Sequence, residues 1–67
     1  MSKFYYAPIK FCGEDGFDQI EIDNNGHSLV RQWLPDDQET MDFFKKHKAV
    51  KVTMEELDSL YRNGVTR

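Results

Sequence analysis

The chain contains a single cysteine, Cys12, so no disulfide can form within its 67 residues. A domain of about this length buries only about 60 % of the surface that its unfolded chain exposes. Without a disulfide, a metal or a partner, such a core supplies on the order of 3–5 kcal/mol. One cysteine also favours a reducing compartment. We therefore expect a cytoplasmic protein that folds as one domain over residues 1–67.

The composition excludes two other classes of chain. No apolar run approaches the roughly 18 residues of a membrane span, and the N-terminus lacks the apolar region of a signal peptide. Aromatic residues make up 13 % of the chain, while glycine and proline are few, which argues against disorder. The sequence predicts a small soluble globule that does not use a membrane as its partner.

The first half of the chain alternates apolar and polar residues with the period of β-strands. The pattern predicts strands over residues 3–11, 17–23 and 28–33, with a turn at residues 13–16 between the first two. In the first strand, Pro8 cannot donate a ladder hydrogen bond, which indicates an edge strand or a bulge. One face of that strand carries Tyr5, Ala7, Ile9 and Phe11, and the other carries Phe4 and Tyr6.

The turn at Asn24-Asn25-Gly26 is the strongest local signal, because a type I′ hairpin needs two residues that tolerate positive φ. A two-residue loop would place Ile20 opposite Arg31, whereas a three-residue loop would place Ile20 opposite Val30. The choice decides whether Trp33 belongs to the core or to the surface. We favour the two-residue loop.

Two helices follow the strands. The first is predicted to begin with Asp36 as N-cap and Glu39 as the second half of a capping box, and to end near Lys46. It would bury Met41 and Phe44, with Phe43 as a further candidate. A short strand over residues 49–52 comes next.

The second helix begins at a second capping box, formed by Thr53 and Glu56. It ends at Asn63-Gly64, since glycine favours the residue that follows a helix. Its apolar positions recur at helical spacing: Met54, Leu57, Leu60 and Tyr61.

These elements predict an α+β fold of order β-β-β-α-β-α. The first three strands can form an antiparallel meander, and the connection through the first helix is long enough for the fourth strand to run parallel. We expect a four-stranded mixed sheet with both helices packed on one face. Aromatic residues in excess of that interface would then lie on the open face or at a partner surface.

Catalysis and metal binding find little support in the sequence. No base can be placed beside Cys12, whose acidic flank opposes thiolate formation, and His27 and His47 show no ligand spacing. Residues 21–26 resemble the first half of a calcium loop, but Gln32 stands where such a loop needs a bidentate glutamate. We predict no enzyme activity, no cofactor and no metal.

Charge is sorted along the chain. Between residues 12 and 43 there are nine carboxylates and one arginine or lysine, whereas the whole chain carries a net charge of −3. Sorted charge of this kind steers encounter with partners. We therefore predict a non-enzymatic module that docks an acidic surface on a basic, nucleic-acid-handling protein such as a nuclease or polymerase. Small acidic inhibitors of phages and mobile elements act as nucleic-acid mimics in this way, inside the host cytoplasm.

Eight residues are predicted to carry this contact. Tyr5, Tyr6 and Trp33 are the apolar anchors. The charge complementarity is assigned to Asp15, Asp18, Asp36, Asp37 and Asp42.

Two alternatives stay open. The chain could bind nucleic acid directly, through stacking on sheet aromatics and a lysine cluster, Lys45, Lys46, Lys48 and Lys51. A pI of about 5.2 and the adjacent acidic segment oppose phosphate binding. A marginal core also makes a homodimer compatible with either function.

Overall fold

The computed structural model describes residues 2–63. Its elements are β1 (Lys3–Phe11), β2 (Glu14–Ile22), β3 (Ser28–Pro35), α1 (Gln38–Lys46), β4 (Val50–Lys51) and α2 (Met54–Asn63). The strands form one sheet in the order β3-β2-β1-β4. β1 pairs antiparallel with β2 and parallel with β4. The predicted α+β class, mixed sheet and element order are confirmed, while Gly64 of the predicted helix end lies outside the described residues.

The two helices lie on opposite faces of the sheet, unlike the predicted packing on one face. In α2, Leu57 packs with Ala7 and Ile20 in the core cluster. In α1, the Phe44 ring stacks on Tyr6 with 4.0 Å between ring centroids. Tyr6 and Ala7 are consecutive in β1, so their side chains point to opposite faces. Because β3 and β4 form opposite edges, α1 crosses one face and α2 returns over the other.

Each face of β1 therefore has its own apolar layer. Under α2, the buried residues are Ala7, Ile20, Ile22 and Leu57, with Tyr5, Val52, Met54 and Leu60 packed around them. Under α1, the layer consists of aromatic rings in contact: Phe4, Tyr6, Phe17, Phe43 and Phe44. The apolar character of both β1 faces requires cover on both sides, which explains the two-sided packing.

The first hairpin turns at Cys12 and Gly13, which have φ values of 52° and 79°. Positive φ at both central residues is the signature of a type I′ turn. Phe11 pairs directly with Glu14 across this turn. The turn predicted at residues 13–16 was therefore placed too late, because residues 14–16 already belong to β2.

The second hairpin has a three-residue loop, not the two-residue loop that we favoured. The N–H of Asp23 donates to the carbonyl of His27 at 3.0 Å, and Gly26 is the loop residue with positive φ, 84°. The register then shifts between Glu21 and Ile22, which leaves one extra residue in β3. This irregularity restores the predicted pairing of Ile20 with Arg31.

The helix starts follow from local hydrogen bonds. The N-cap of α1 is Asp37, whose carboxylate accepts from the N–H of Thr40 at 2.9 Å. The predicted cap at Asp36 was one residue early, because the Asp36 N–H still donates to the carbonyl of Asp15 beside it. The capping box of α2 is confirmed, since Thr53 and Glu56 exchange hydrogen bonds of 3.1 Å.

We expect Gly16→Ala to lower the free energy of unfolding by about 1–3 kcal/mol through overpacking. A Cβ at Gly16 would stand 2.3 Å from Cζ2 of Trp33 and 2.5 Å from the carbonyl oxygen of Leu34. Urea unfolding measures the loss, and the fluorescence of the one tryptophan reports its displacement. Gly13→Ala is the control for the emission alone: a Cβ there meets nothing within 4 Å, so Trp33 stays in place, while the positive φ of Gly13 gives that variant a backbone strain of its own. Unchanged Trp33 emission in Gly16→Ala would contradict the close approach.

Candidate protein-binding surface

One end of the sheet collects exposed carboxylates from two separate parts of the sequence. The start of β2 lies beside the end of β3, where the N–H of Asp36 donates to the carbonyl of Asp15 at 3.3 Å. The pairing of β2 with β3 thus joins residues about twenty positions apart in the chain. We call this group the acidic end, and its members are Glu14, Asp15, Asp36, Asp37 and Glu39, all exposed.

The charges of the acidic end are weakly compensated. Within residues 2–63, its one ion pair joins Lys10 Nζ to Asp15 Oδ1 at 3.9 Å, and both side chains are mostly exposed. Such a surface pair contributes about 0–1 kcal/mol. The acidic end therefore presents a net negative potential to solvent.

Apolar side chains adjoin these carboxylates. Phe11 is 58 % exposed and Ile9 36 % exposed, and the Trp33 ring is half-buried with its centroid 5.8 Å from that of Phe11. Phe11 pairs with Glu14, so apolar and acidic groups share the same end of the sheet. We call Ile9, Phe11 and Trp33 the apolar cluster.

The three predicted anchors do not come together. Trp33 belongs to the apolar cluster, whereas Tyr5 packs against the core under α2 and Tyr6 stacks on Phe44 under α1. Tyr5 and Tyr6 point to opposite faces because they are neighbours in β1. Phe11 was among the aromatic residues expected in excess of the core, but it was not chosen as an anchor. Its position beside the turn at the end of β1 was the signal that a helix would leave it uncovered.

Asp18 is buried and serves the fold rather than the surface. It is 9 % exposed, and its carboxylate accepts from Nε of Arg31 at 2.9 Å. Arg31 also donates to Asp58 of α2 at 2.9 Å and lies 4.9 Å from the ring centroid of Tyr61. The hydrogen bond from Arg31 to Asp18 is the main cause that raises the pKa of Arg31 above its ordinary value. This cluster ties the sheet to α2.

The two other predicted acids on α1 are exposed. One carboxylate oxygen of Asp37 accepts the capping hydrogen bond from the N–H of Thr40, and the other belongs to the acidic end. Asp42 accepts from the side chain of Gln38 at 2.9 Å. It lies one turn beyond Glu39, on the way to the basic end of the helix.

The predicted lysine cluster lies at the far end of α1 from the acidic end. All four members are exposed, and none forms an ion pair with a described residue: Lys45, Lys46, Lys48 and Lys51. Beside them, the ring of His47 contacts Phe4 and Phe43 at centroid distances of 4.8 and 4.6 Å. The sheet aromatics proposed to stack on bases are thus engaged with helix side chains.

The segment that resembles a calcium loop, residues 21–26, forms the turn of the second hairpin, where the Asp23 side chain stabilises the backbone. The Asp23 carboxylate accepts from the N–H groups of Asn25 and His27, both at 2.9 Å. In the described part of the chain, no three His, Cys, Asp or Glu side chains gather in a group that could hold a metal ion. Cys12 is exposed at the tip of the first hairpin.

We expect the pKa of Asp23 to lie below its ordinary value of 3.8, chiefly because the backbone N–H of His27 donates to its carboxylate. A pKa lowered by folding contributes stability at pH above the unfolded value, and this contribution is lost as pH falls through the folded value. An NMR titration of the Asp23 side chain, in the protein and in a short capped peptide that ends before Asn25 and so lacks both donors, measures the difference. Equal midpoints would contradict the turn geometry.

No helix within residues 2–63 has the length and apolar character to cross a membrane. Comparison of the chain with protein-family models, with curated proteins and with solved structures found no match.

Proposed function

We propose that the protein is a non-enzymatic binding module that docks its acidic end on a basic surface of another protein. The observation that supports this proposal most strongly is the exposed carboxylates with one weak ion pair beside the exposed ring of Phe11. Protein interfaces combine an apolar centre with a polar, charged rim. The apolar cluster adjoins Glu14 of the acidic end, so both components are present at one end of the sheet.

The two parts of the surface would act differently. Large aromatic side chains such as Phe11 and Trp33 lose water on binding and supply most of the affinity. The carboxylates of the acidic end would steer the approach and select a positively charged partner, which raises the association rate more than the affinity. Binding should therefore weaken as salt screens the charges.

Basic protein surfaces commonly hold nucleic acid phosphates. A module that covers such a surface would compete with nucleic acid, so we propose a nuclease or polymerase as the partner and inhibition as the outcome. A phage or mobile-element source fits this proposal by size and charge alone.

Direct nucleic-acid binding is the second candidate, and the exposed lysine cluster is the observation in its favour. Two features weigh against it. Tyr5 and Tyr6 are packed under different helices and cannot offer one stacking platform, and the chain carries a net charge of −3. Phosphate contacts without stacking bases would leave a weak, salt-sensitive interaction.

A pull-down from a cell lysate separates the two candidates. The immobilised protein is exposed to lysate at about 50 mM salt and washed at about 500 mM, where the Debye length falls to a few ångströms. A duplicate is treated with nuclease before washing. The proposal predicts a basic protein that is retained after nuclease treatment and released by salt. Retention that nuclease abolishes would support the second candidate and contradict the first.

A further inference from the structure

β3 forms an open edge of the sheet. Within residues 2–63 it pairs with β2 alone, through seven of its eight residues. The N–H of Asp36 donates to the carbonyl of Asp15, and hydrogen-bonded pairs alternate along an antiparallel ladder. Counting back from Asp36, the backbone groups of Leu34 and Gln32 point to β2. Those of Arg31 and Trp33 therefore point to the open edge.

A groove runs beside this edge, between β3 and α1. Its volume is about 330 Å³. Leu34 and Phe43 supply apolar walls, and Asp37 and Glu39 stand at the start of α1. None of the described residues that line it is basic. Val30, which is 46 % exposed, continues the same face of β3.

We infer that an extended, basic segment of the partner protein adds to β3 as a fifth strand, and this inference rests on the proposed function. An added strand would pair with the outward backbone groups of Arg31 and Trp33. Its side chains alternate in direction, so every second one would enter the groove against Leu34 and Phe43. A lysine at these positions would lay its aliphatic stem on Leu34 and Phe43 and bring its charge to Asp37 and Glu39, which line the same groove.

Charge favours a foreign segment over a second copy of this chain. The β3 of a second copy offers a single base, Arg31, and Asp18 and Asp58 already hold it. No free positive charge would then face Glu39. The other exposed edge, along β1 beyond β4, is a poorer template because Pro8 has no N–H to donate.

Three eight-residue peptides, matching the length of β3, test this inference. All alternate valine with lysine; one is unmodified, one is N-methylated at each valine and one at each lysine. In an added strand, only alternate N–H groups face the neighbouring strand. One methylated peptide should therefore bind at least about tenfold more weakly, a difference of about 1.4 kcal/mol, while the other binds like the unmodified peptide.

Amide hydrogen exchange locates the contact. The unmodified peptide should slow exchange of the Arg31 and Trp33 amides by about tenfold, since their N–H groups gain acceptors. Equal affinity of all three peptides, or protection at Lys10 instead, would overturn strand addition. So would a failure of the unmodified peptide to bind at about millimolar concentration, and so would concentration-dependent dimerisation that protects the same two amides without peptide.

A matched charge reversal completes the test. Glu39→Lys should weaken binding of the unmodified peptide at least about fivefold, whereas Glu55→Lys should leave it unchanged. Both residues stand second in their helices, so a lysine at either position has the same unfavourable interaction with the helix dipole. Equal effects would overturn the groove assignment. The lysate pull-down tests the proposed function separately. A partner that binds the acidic end without slowing amide exchange in β3 would overturn strand addition but would still support the proposed function.

Discussion

Replacing Arg31 with alanine is expected to lower the free energy of unfolding by about 3 kcal/mol. The substitution leaves the Asp18 carboxylate, whose side chain is 12 % exposed, without its cationic partner. An unpaired buried charge costs about 3–5 kcal/mol, and we take the lower value because the Arg31 side chain retains 28 % exposure. Since the whole domain has a stability on the order of 3–5 kcal/mol, much of the variant should be unfolded at room temperature.

Urea unfolding followed by circular dichroism measures this loss. Asp58→Ala is the control, because Asp58 is 44 % exposed and bonds to the same guanidinium. Its removal leaves the pair between Arg31 and Asp18 intact and should cost at most about 1 kcal/mol. Equal losses in the two variants would contradict the assignment of Asp18 as the buried partner.

Replacing Leu57 with alanine is expected to cost about 3 kcal/mol, because Leu57 is fully buried and the substitution leaves a cavity. It is the one fully buried side chain that α2 contributes to the core. Without it, the apolar contacts of α2 with the core are the partly buried ones through Met54 and Leu60. A large loss of unfolding free energy in Leu57→Ala would therefore show that α2 packs on an apolar layer of its own.

The same unfolding measurement applies to Leu60→Ala. Leu60 is half-buried at the edge of that core, so less apolar area returns to water and the loss should be clearly smaller. A Leu57→Ala variant as stable as Leu60→Ala would contradict the described packing.

Local patterns in the sequence predicted much of the fold. The alternation in β1 separated Tyr5 and Ala7 from Phe4 and Tyr6, and the structure keeps that division. The Thr53 capping box predicted the start of α2, because both of its hydrogen bonds lie within one helical turn. Such features depend on neighbours in the chain, so sequence suffices to find them.

Features set by tertiary contacts escaped prediction. The cap of α1 moved to Asp37 because the pairing of β2 with β3 extends to Asp36. The helices occupy opposite faces because both faces of β1 are apolar and need cover, with Tyr6 packed on α1 and Ala7 on α2. The tight turn uses Cys12 at positive φ, a conformation that residues other than glycine adopt rarely.

In the candidate site, too, residues whose exposure is set locally were predicted correctly, and a residue whose burial is set by tertiary contacts was not. The acidic residues beside turns, Asp15 and Asp36, were predicted and lie at the acidic end. Asp18 was placed in the same group because charge along a sequence does not distinguish the two faces of a strand. Its side chain points under α2, where Arg31 neutralises it. Strand register, rather than composition, decides which carboxylates a partner can reach.

The most direct test of the account compares two charge reversals in binding to the partner captured by the pull-down. Glu14→Lys with Asp36→Lys alters the acidic end, and Glu21→Lys with Glu55→Lys alters the net charge equally at other positions. Isothermal titration calorimetry should show affinity at least about tenfold lower for the first pair, a loss of about 1.4 kcal/mol, and near the native value for the second. Equal affinities would show that net charge, not the acidic end, governs the interaction, and would contradict the account.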